Sequence, residues 1–282
     1  MTPHLPPELE REIFEFAAAS DPFNAQLRLR LLLVARRVRI WIDPLIYSHI
    51  VFSRTNNWTR LKRIIASKPP DFLARHVKSV FMPTSVVSIY EASEIVEACP
   101  DVERLACWID HKAPFDGMPM FPQTIPLHLP MPALSRLSIE LSHFLCLPSV
   151  PRLNANLTHL ELVYWDKHAA NYPATISLAQ FTRLSHLALR PDDLRFQWTA
   201  PVVRSMIQSC AGLKVVALMD YGLMGHALMV GRELRDKRVA NVVSEVAIHD
   251  WDPALKRVHA WEVQGRDGDM WERAEDIIRR NP

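Results

Sequence analysis

The chain has 282 residues, of which 49% are apolar and 23% are charged, and its formal net charge is +2. Such a composition can bury a core, and it suits one domain with a small module attached. A net charge this close to zero argues against a protein built mainly to bind nucleic acid.

The cysteines and glycines exclude several kinds of site. The four cysteines lie far apart and form no CxxC pair, so neither a zinc site nor a disulfide framework is predicted, and reduced thiols in an intracellular protein are the simpler interpretation. The seven glycines form neither a phosphate-binding loop nor a nucleophile elbow. The first residues lack a signal-peptide core, and arginines interrupt the longest apolar stretch. We therefore expect no metal, no cofactor and no membrane segment, and a location in the cytoplasm, the nucleus or both.

Residues 1–52 have the pattern of short amphipathic helices. In the first helix, Leu9, Ile13, Phe14 and Ala17 share one face. Two further apolar helices follow, the last of them bent or broken near Pro44. A segment of about 50 residues is marginal for independent folding, so part of its apolar surface should face a partner or the rest of the chain. Five arginines here are interpreted as solvated helix faces, with phosphate contacts as the alternative: Arg28, Arg30, Arg36, Arg37 and Arg39.

From about residue 73 the pattern changes to a repeated motif of the form apolar-x-x-apolar-x-apolar. The motif occurs seven times in tandem, which indicates a repeat architecture of leucine-rich type. Its instances are Val77-Val80-Met82, Val102-Leu105-Cys107, Leu134-Leu137-Ile139, Leu157-Leu160-Leu162, Leu184-Leu187-Leu189, Leu213-Val216-Leu218 and Val243-Val246-Ile248.

The intervals between the motifs predict the rest of each repeat. Successive motifs begin between 23 residues (Leu134 to Leu157) and 32 residues (Val102 to Leu134) apart. Several intervals have a helical pattern, the longest of them over 223–241. Each unit should therefore be a strand followed by a helix or loop, which hides its apolar side by stacking on its neighbours.

The end of the chain returns to a helical pattern. Asp269 and Glu272 fit a capping box that opens a helix through Trp271, Ala274 and Ile278. The alternative for 267–269, a calcium loop, lacks the remaining residues of an EF-hand.

Alternation along the strands predicts a second set of residues, on the face away from the repeat core. Alternate side chains of a strand face opposite sides, so the residues that flank the apolar pairs should line a concave face. Aromatic and arginine side chains dominate interface energetics, which makes this face the predicted partner surface. The residues that we expect to bind a partner there are Trp108, Arg136, Glu140, His159, Glu161, His186 and Arg190.

Two of these predictions have competing interpretations. His159 and His186 should lie side by side on neighbouring strands, either as a pH-sensitive or metal-binding pair or as two solvated imidazoles. We favour solvated imidazoles because no third ligand is evident. Trp108 either binds a partner or is covered by the insertion between Asp110 and Pro130.

Several stretches of the sequence carry a family likeness. They are 5–9 (LPPEL), 31–38 (LLLVARRV), 41–47 (WIDPLIY), 98–105 (ACPDVERL), 156–162 (NLTHLEL) and 261–271 (WEVQGRDGDMW). The order of these stretches along the chain carries the likeness. Residues 5–52 resemble the F-box in its fungal F-box-like form. The remainder resembles the F-box/leucine-rich-repeat proteins that are numerous in mushroom-forming fungi.

The predicted fold is α/β, with three parts. We expect a three-helix F-box-like module at 1–52, an irregular leucine-rich-repeat solenoid at 53–268 and a C-terminal capping helix at 269–282. The repeats lack the Asn that normally follows the strand in this family, which favours an irregular, flatter arc.

The resemblance also implies two partners. F-box proteins dock a Skp-type adaptor of cullin–RING ubiquitin ligases, while their C-terminal domain selects a protein substrate, here of unknown identity. By this likeness the adaptor would contact Leu5, Pro6, Leu9 and Ile13 from the first helix and Leu33, Val34 and Val38 from the later two.

Three functional hypotheses follow. The first is a substrate-recognition adaptor of a cullin–RING ubiquitin ligase. The alternative is a repeat-type protein-binding scaffold whose first helices only cap the solenoid. The third, an enzyme, is disfavoured because no spacing of Ser, His and Asp fits a nucleophile, a base and an oxyanion site.

Overall fold

The computed structural model of the chain describes residues 5–20, 24–52, 57–82, 89–108, 131–146, 155–164, 173, 175–191, 199–220, 226–243 and 270–280. Within these ranges, eight strands form one parallel sheet whose strand order follows the order of the chain. The strands are β1 His49–Val51, β2 Ser79–Met82, β3 Arg104–Cys107, β4 Arg136–Glu140, β5 His159–Tyr164, β6 His186–Pro191, β7 Val215–Asp220 and β8 Val239–Val243.

Most of the described helices lie between successive strands. The helices are α1 Pro7–Ser20, α2 Ala25–Leu31, α3 Arg36–Tyr47, α4 Asn57–Ser67, α5 Phe72–His76, α6 Ile89–Ala98, α7 Leu141–Cys146, α8 Thr199–Ser209, α9 His226–Leu234 and α10 Met270–Arg280. The α/β class and the parallel strands predicted from the sequence are therefore confirmed.

The register of the sheet follows the apolar motif. The middle residues of the first six motifs pair in succession, so that Leu137, Leu160 and Leu187 stand side by side. All three are at most 1% exposed and belong to the main core, which also takes in apolar side chains of α4 to α9. Parallel strands covered by helices bury their apolar side chains in this way.

The first strand of the sheet was not among the predicted repeats. Ile50 pairs with Val80, and Phe52, just beyond β1, is 1% exposed in the main core. The motif spacing is present in Tyr47-Ile50-Phe52, but it directly follows the third helix and was included in the helical segment. The sheet therefore begins inside the segment 1–52, and α3 ends at Tyr47.

The last described strand also lies earlier than predicted. Val239 pairs with Val216, whereas the sequence placed a helix over 223–241 and the last repeat at Val243-Val246-Ile248. Residues 244–250 lie outside the described residues. Helix α9 stops at Leu234 because Arg235 adopts a left-handed φ of 49°. The polar Asp236 and Asn241 stand where apolar motif residues would be, so the pattern is hidden.

A ladder of shared carbonyls joins the amino ends of the strands. The carbonyl of Ser135, for example, accepts the amides of both Thr158 (2.9 Å) and His159 (3.1 Å) from the next strand. Hydroxyl groups reinforce it, since Thr158 Oγ1 donates to Ser135 O at 3.0 Å and Ser185 Oγ to Thr158 O at 3.3 Å. The ladder satisfies backbone groups that would otherwise be buried without partners. The carbonyls that each accept two amides belong to Ser48, Lys78, Glu103, Ser135, Thr158 and Ser185.

Helices α1 to α3 have a small core of their own. Ala18, Val38 and Ile42 are fully buried there. The buried Arg28 donates from Nε to Ala18 O at 3.0 Å and from Nη1 to Leu45 O at 3.4 Å, so one guanidinium serves carbonyls in the last turns of α1 and α3. Arg28 is thus a structural residue and not part of a solvated face. Helix α3 also runs unbroken through Pro44, where the sequence led us to expect a bend or break.

Candidate functional site

The first helix carries apolar side chains on both of its faces. Phe14 and Ala17 pack inward against the core of the three helices. Leu9, Ile13 and Phe16, at positions i, i+4 and i+7, point outward, and Phe16 is 77% exposed. The structure therefore divides the single face predicted from Leu9, Ile13, Phe14 and Ala17 into an outer pair and an inner pair. A helix that is apolar on its solvent face has surface to bury against another molecule or segment.

The outward faces of α2 and α3, with the turn between them, are apolar as well. Leu29 and Leu33 lie one helical turn apart, and Leu33 is 85% exposed. On α3, Ile40 is 66% exposed, on the opposite side of the helix from the buried Val38 and Ile42. We use the name N-terminal apolar surface for the exposed apolar side chains of this segment, which are Leu5, Leu9, Ile13, Phe16, Leu29, Leu33, Val34 and Ile40.

Six of the seven residues that the family likeness assigned to an adaptor are exposed. These six are Leu5, Pro6, Leu9, Ile13, Leu33 and Val34. The seventh, Val38, is 0% exposed and packs inside the three-helix core. Val38 therefore supports the surface from below and offers no atoms to a partner in this conformation.

The sequence analysis missed three residues of this surface, namely Phe16, Leu29 and Ile40. Phe16 could have been found, because it continues the spacing of Leu9 and Ile13 at i+7. Leu29 and Ile40 each lie next to an arginine, and nothing local says which side of the helix faces the core.

A buried polar network occupies the face of the sheet away from the main core. The indole of Trp108 donates to Ser138 Oγ at 2.7 Å, and Ser138 donates to Glu161 Oε2 at 2.6 Å. The guanidinium of Arg190 donates to Glu161 Oε1 and lies 5.6 Å from the Trp108 ring centroid. All four residues are at most 1% exposed. The network links β4, β5 and β6 with the residue after β3, and each polar group supplies a partner to the next.

Helix α10 covers this same face towards β7 and β8. Its Met270, Trp271 and Ala274 are buried in a second apolar cluster with Ala217 and Val242 of those strands. An amphipathic helix that lies on a sheet removes both apolar surfaces from water. The face that we predicted to be open is therefore occupied, over this part, by the C-terminal helix of the same chain.

The two histidines are stacked. Their ring centroids are 4.2 Å apart with an interplanar angle of 11°. Trp271 of α10 meets His159 and His186 edge-on, at 5.1 and 5.6 Å, and Glu275 Oε1 lies 3.0 Å from His186 Nε2. The prediction that His159 and His186 lie side by side is confirmed. Helix α10 contacts both rings through Trp271. They are therefore not the two solvated imidazoles that we favoured.

The seven predicted partner-binding residues thus share one face but differ in exposure. Arg136, His159 and His186, the first residues of β4, β5 and β6, are half-buried. Glu140 and Glu161 are fully buried, and Glu140 Oε2 lies 3.6 Å from Nε2 of the buried His143. Trp108 and Arg190 are buried too, so the core of the predicted surface is closed in this conformation. The equivalent residues of the last predicted repeat, 245–249, lie outside the described residues.

Two further findings concern metals and membranes. Among the residues that the structure describes, no three His, Cys, Asp or Glu side chains are placed to hold a metal ion. No helix within the described ranges combines the length and the apolar character needed to cross a membrane. Residues 267–269, for which a calcium loop was the disfavoured alternative, lie outside those ranges.

Comparison with known proteins leaves the family open. No protein-family model matches this sequence, and no curated protein sequence matches it significantly.

Proposed function

We propose that the chain is a substrate-recognition adaptor, an F-box-like subunit of a cullin–RING ubiquitin ligase that acts in the cytoplasm, the nucleus or both. The N-terminal apolar surface is the observation that carries this proposal. It combines three helices that share one small core with an outward set of large apolar side chains. Fully burying a Leu, Ile or Phe side chain contributes about 1.5–3 kcal/mol. A partner that buries several of these side chains at once therefore gains a free energy comparable to the cost of association.

The proposed partner is a Skp-type adaptor that receives α1 to α3. Amphipathic helices set into an apolar groove commonly use anchors at i, i+4 and i+7, which is the spacing of Leu9, Ile13 and Phe16. The anchors are already held in place by the helices, so binding need not order them first.

The proposed role requires no catalytic residue. A subunit that holds a substrate next to a charged ubiquitin-conjugating enzyme acts by raising the local concentration of the substrate. Ser138 is hydrogen-bonded to Glu161 and fully buried, an arrangement that suits a structural role better than a nucleophilic one.

The protein substrate would bind the repeat domain. Half-buried residues at the amino ends of the strands, Arg136, His159 and His186, are accessible in part. Trp108, Glu161 and Arg190 would be reached only after the groups that cover them move away. We therefore place the first substrate contacts at the strand ends.

The second candidate is a binding scaffold whose first helices only cap the sheet. The contact of the three helices with the repeats favours this scaffold. Lys68 pairs with Asp43 of α3, and its Nζ lies 4.7 Å from the Phe72 ring centroid. The ring of Tyr47 meets that of Phe72 edge-on, with centroids 5.4 Å apart. These contacts fix α3 against α5, as a cap requires. They leave the exposed residues of the N-terminal apolar surface without an explanation.

A pull-down with purified Skp-type adaptor tests the proposal. We expect the full chain to bind, and the triple variant Leu9→Ala/Ile13→Ala/Phe16→Ala to lose binding with an unchanged melting temperature, since all three side chains point into solvent. The matched control is Leu228→Ala/Met229→Ala, which removes exposed apolar side chains from α9 (44% and 65% exposed) and should bind normally. An intact chain that does not bind the adaptor would leave the scaffold as the better proposal.

A further inference from the structure

Three exposed arginines accompany the exposed apolar residues of α2 and α3. Arg30, Arg36 and Arg39 are exposed, and none of them takes part in an ion pair within the described part of the chain. By contrast, Arg37 donates two hydrogen bonds to Glu10, at 2.7 and 2.9 Å. Glu10 of α1 thus neutralises Arg37 of α3, whereas Arg30, Arg36 and Arg39 have no such pair among the described residues.

Helical spacing places these arginines beside the exposed apolar residues. Arg36 and Ile40 lie one turn apart on the side of α3 that faces away from its core, and Arg39 adjoins Ile40. On α2, Arg30 follows the exposed Leu29 directly. The α2–α3 part of the surface is therefore apolar in the middle and basic at its rim.

The α1 part of the same surface has the opposite sign. Glu8 and Glu12 are exposed beside Leu9 and Ile13, and neither takes part in an ion pair within the described residues. The paired Glu10 lies between the two charge regions and joins α1 to α3. Exposed acidic side chains thus accompany the exposed apolar residues of α1, whereas exposed arginines accompany those of α2 and α3.

We infer that the protein that docks here has an apolar groove rimmed by carboxylates where it meets α2 and α3. This inference rests on the proposed function and names the chemistry of the adaptor's contact surface. Guanidinium groups pair with carboxylates through two parallel hydrogen bonds, which fixes orientation as well as adding affinity. Complementary charges at the rim of an interface speed association and exclude wrong orientations. The opposite signs on α1 and on α2–α3 therefore set the direction in which the helices enter the groove.

A protein partner fits this surface better than an anionic membrane or a nucleic acid. Arginines beside large apolar side chains also occur on helices that lie on membranes. An anionic lipid surface or a phosphate backbone that also met α1, however, would repel the exposed Glu8 and Glu12. Only a partner whose own charge changes sign across its contact surface satisfies both parts.

The test measures adaptor binding against salt concentration, with the full chain. The variant is Arg30→Gln/Arg36→Gln/Arg39→Gln, and the control is Arg60→Gln/Arg63→Gln/Arg232→Gln, which removes the same charge from exposed arginines of α4 and α9. We expect the variant to bind roughly tenfold more weakly than the intact chain at 50 mM NaCl, and as tightly as the intact chain at about 500 mM NaCl, where exposed charges are screened. The control should follow the intact chain at both concentrations.

The outcomes separate the inference from the proposed function. Adaptor binding that neither salt nor the three substitutions weaken would overturn the inference and leave the proposed function standing. An intact chain that fails to bind the adaptor at either salt concentration would overturn the proposed function and the inference with it. Binding of the intact chain, but not of the variant, to phosphatidylserine vesicles, with adaptor binding equal for both, would overturn the inference in favour of a membrane.

Discussion

The imidazole rings of His159 and His186 stack face to face across β5 and β6, with centroids 4.2 Å apart, and the indole of Trp271 meets both rings edge-on. Edge-to-face contacts of this kind are favourable for aromatic rings. Trp271 is 6% exposed. Its contact with the two histidines joins the C-terminal helix to residues that lie more than eighty positions earlier in the chain.

The first prediction concerns this contact. Trp271→Ala should lower the free energy of unfolding by about 3 kcal/mol, because it removes a large buried side chain from between α10 and the sheet. Amide hydrogen exchange in 270–280 should increase at the same time. Arg280→Ala, at an exposed position of the same helix, is the control and should change neither quantity. Unaltered exchange in α10 would mean that other contacts hold the helix.

The second prediction concerns the buried ion pair of Glu161 and Arg190. Glu161→Gln should lower the free energy of unfolding by about 3 kcal/mol, because the guanidinium then loses a carboxylate in a site that excludes water. The double variant Glu161→Gln/Arg190→Met should lose less than the sum of the two single variants, since the second substitution removes the stranded charge. Chemical denaturation measures all four proteins, and strictly additive losses would contradict the pairing.

The third prediction concerns pH. Burial, followed by the charges of Arg104 and Arg28, lowers the pKa of His49 from 6.5 to about 4. Arg104 Nη2 lies 3.4 Å from His49 Nδ1, a contact that suits a neutral imidazole acting as acceptor. In the unfolded chain His49 keeps its ordinary pKa of 6.5. At pH values between about 4 and 6.5 the unfolded chain therefore binds a proton at His49 that the folded chain does not bind. The stabilising effect of neutral His49 is therefore complete above about pH 6.5 and is lost as the pH falls towards 4.

The measurement is the free energy of unfolding of the intact chain and of His49→Gln from pH 7 to pH 4. Other groups titrate in both proteins, so the informative quantity is the difference between the two curves. We expect the intact chain to lose more stability over this range than the variant. Parallel curves would show that His49 titrates alike in the folded and unfolded chains.

The fourth prediction concerns thiol reactivity. Burial raises the pKa of the Cys99 thiol to about 12, so almost no thiolate forms at pH 8. Cys99 should resist iodoacetamide in the folded protein and react after unfolding in guanidinium, as measured by mass spectrometry of its peptide. Rapid alkylation of the folded protein would show that the end of α6 opens readily.

Local patterns were enough to predict most of the sheet. Strand residues alternate between two faces, so a motif with two buried positions at i and i+2 predicts both the strand and the side that it buries. This reasoning placed Leu137, Leu160 and Leu187 correctly in register. It failed at β1, which directly follows a helix, and at β8, where polar residues interrupt the motif.

Local patterns did not decide which residues of the candidate site are accessible. Alternation shows that Glu161 and Arg190 lie on the second face of the sheet, but only the packing of distant segments buries them there. On α1 the apolar spacing put Leu9 and Ile13 on one face with Phe14 and Ala17, and only the packing of the three helices decided that the first two are exposed and the last two packed inward. The sequence alone therefore specified the strands and their two faces, because the spacing of apolar side chains is a property of the chain itself. Which face is covered, and by what, depended on long-range contacts such as that of Trp271 with His159, which no local spacing encodes.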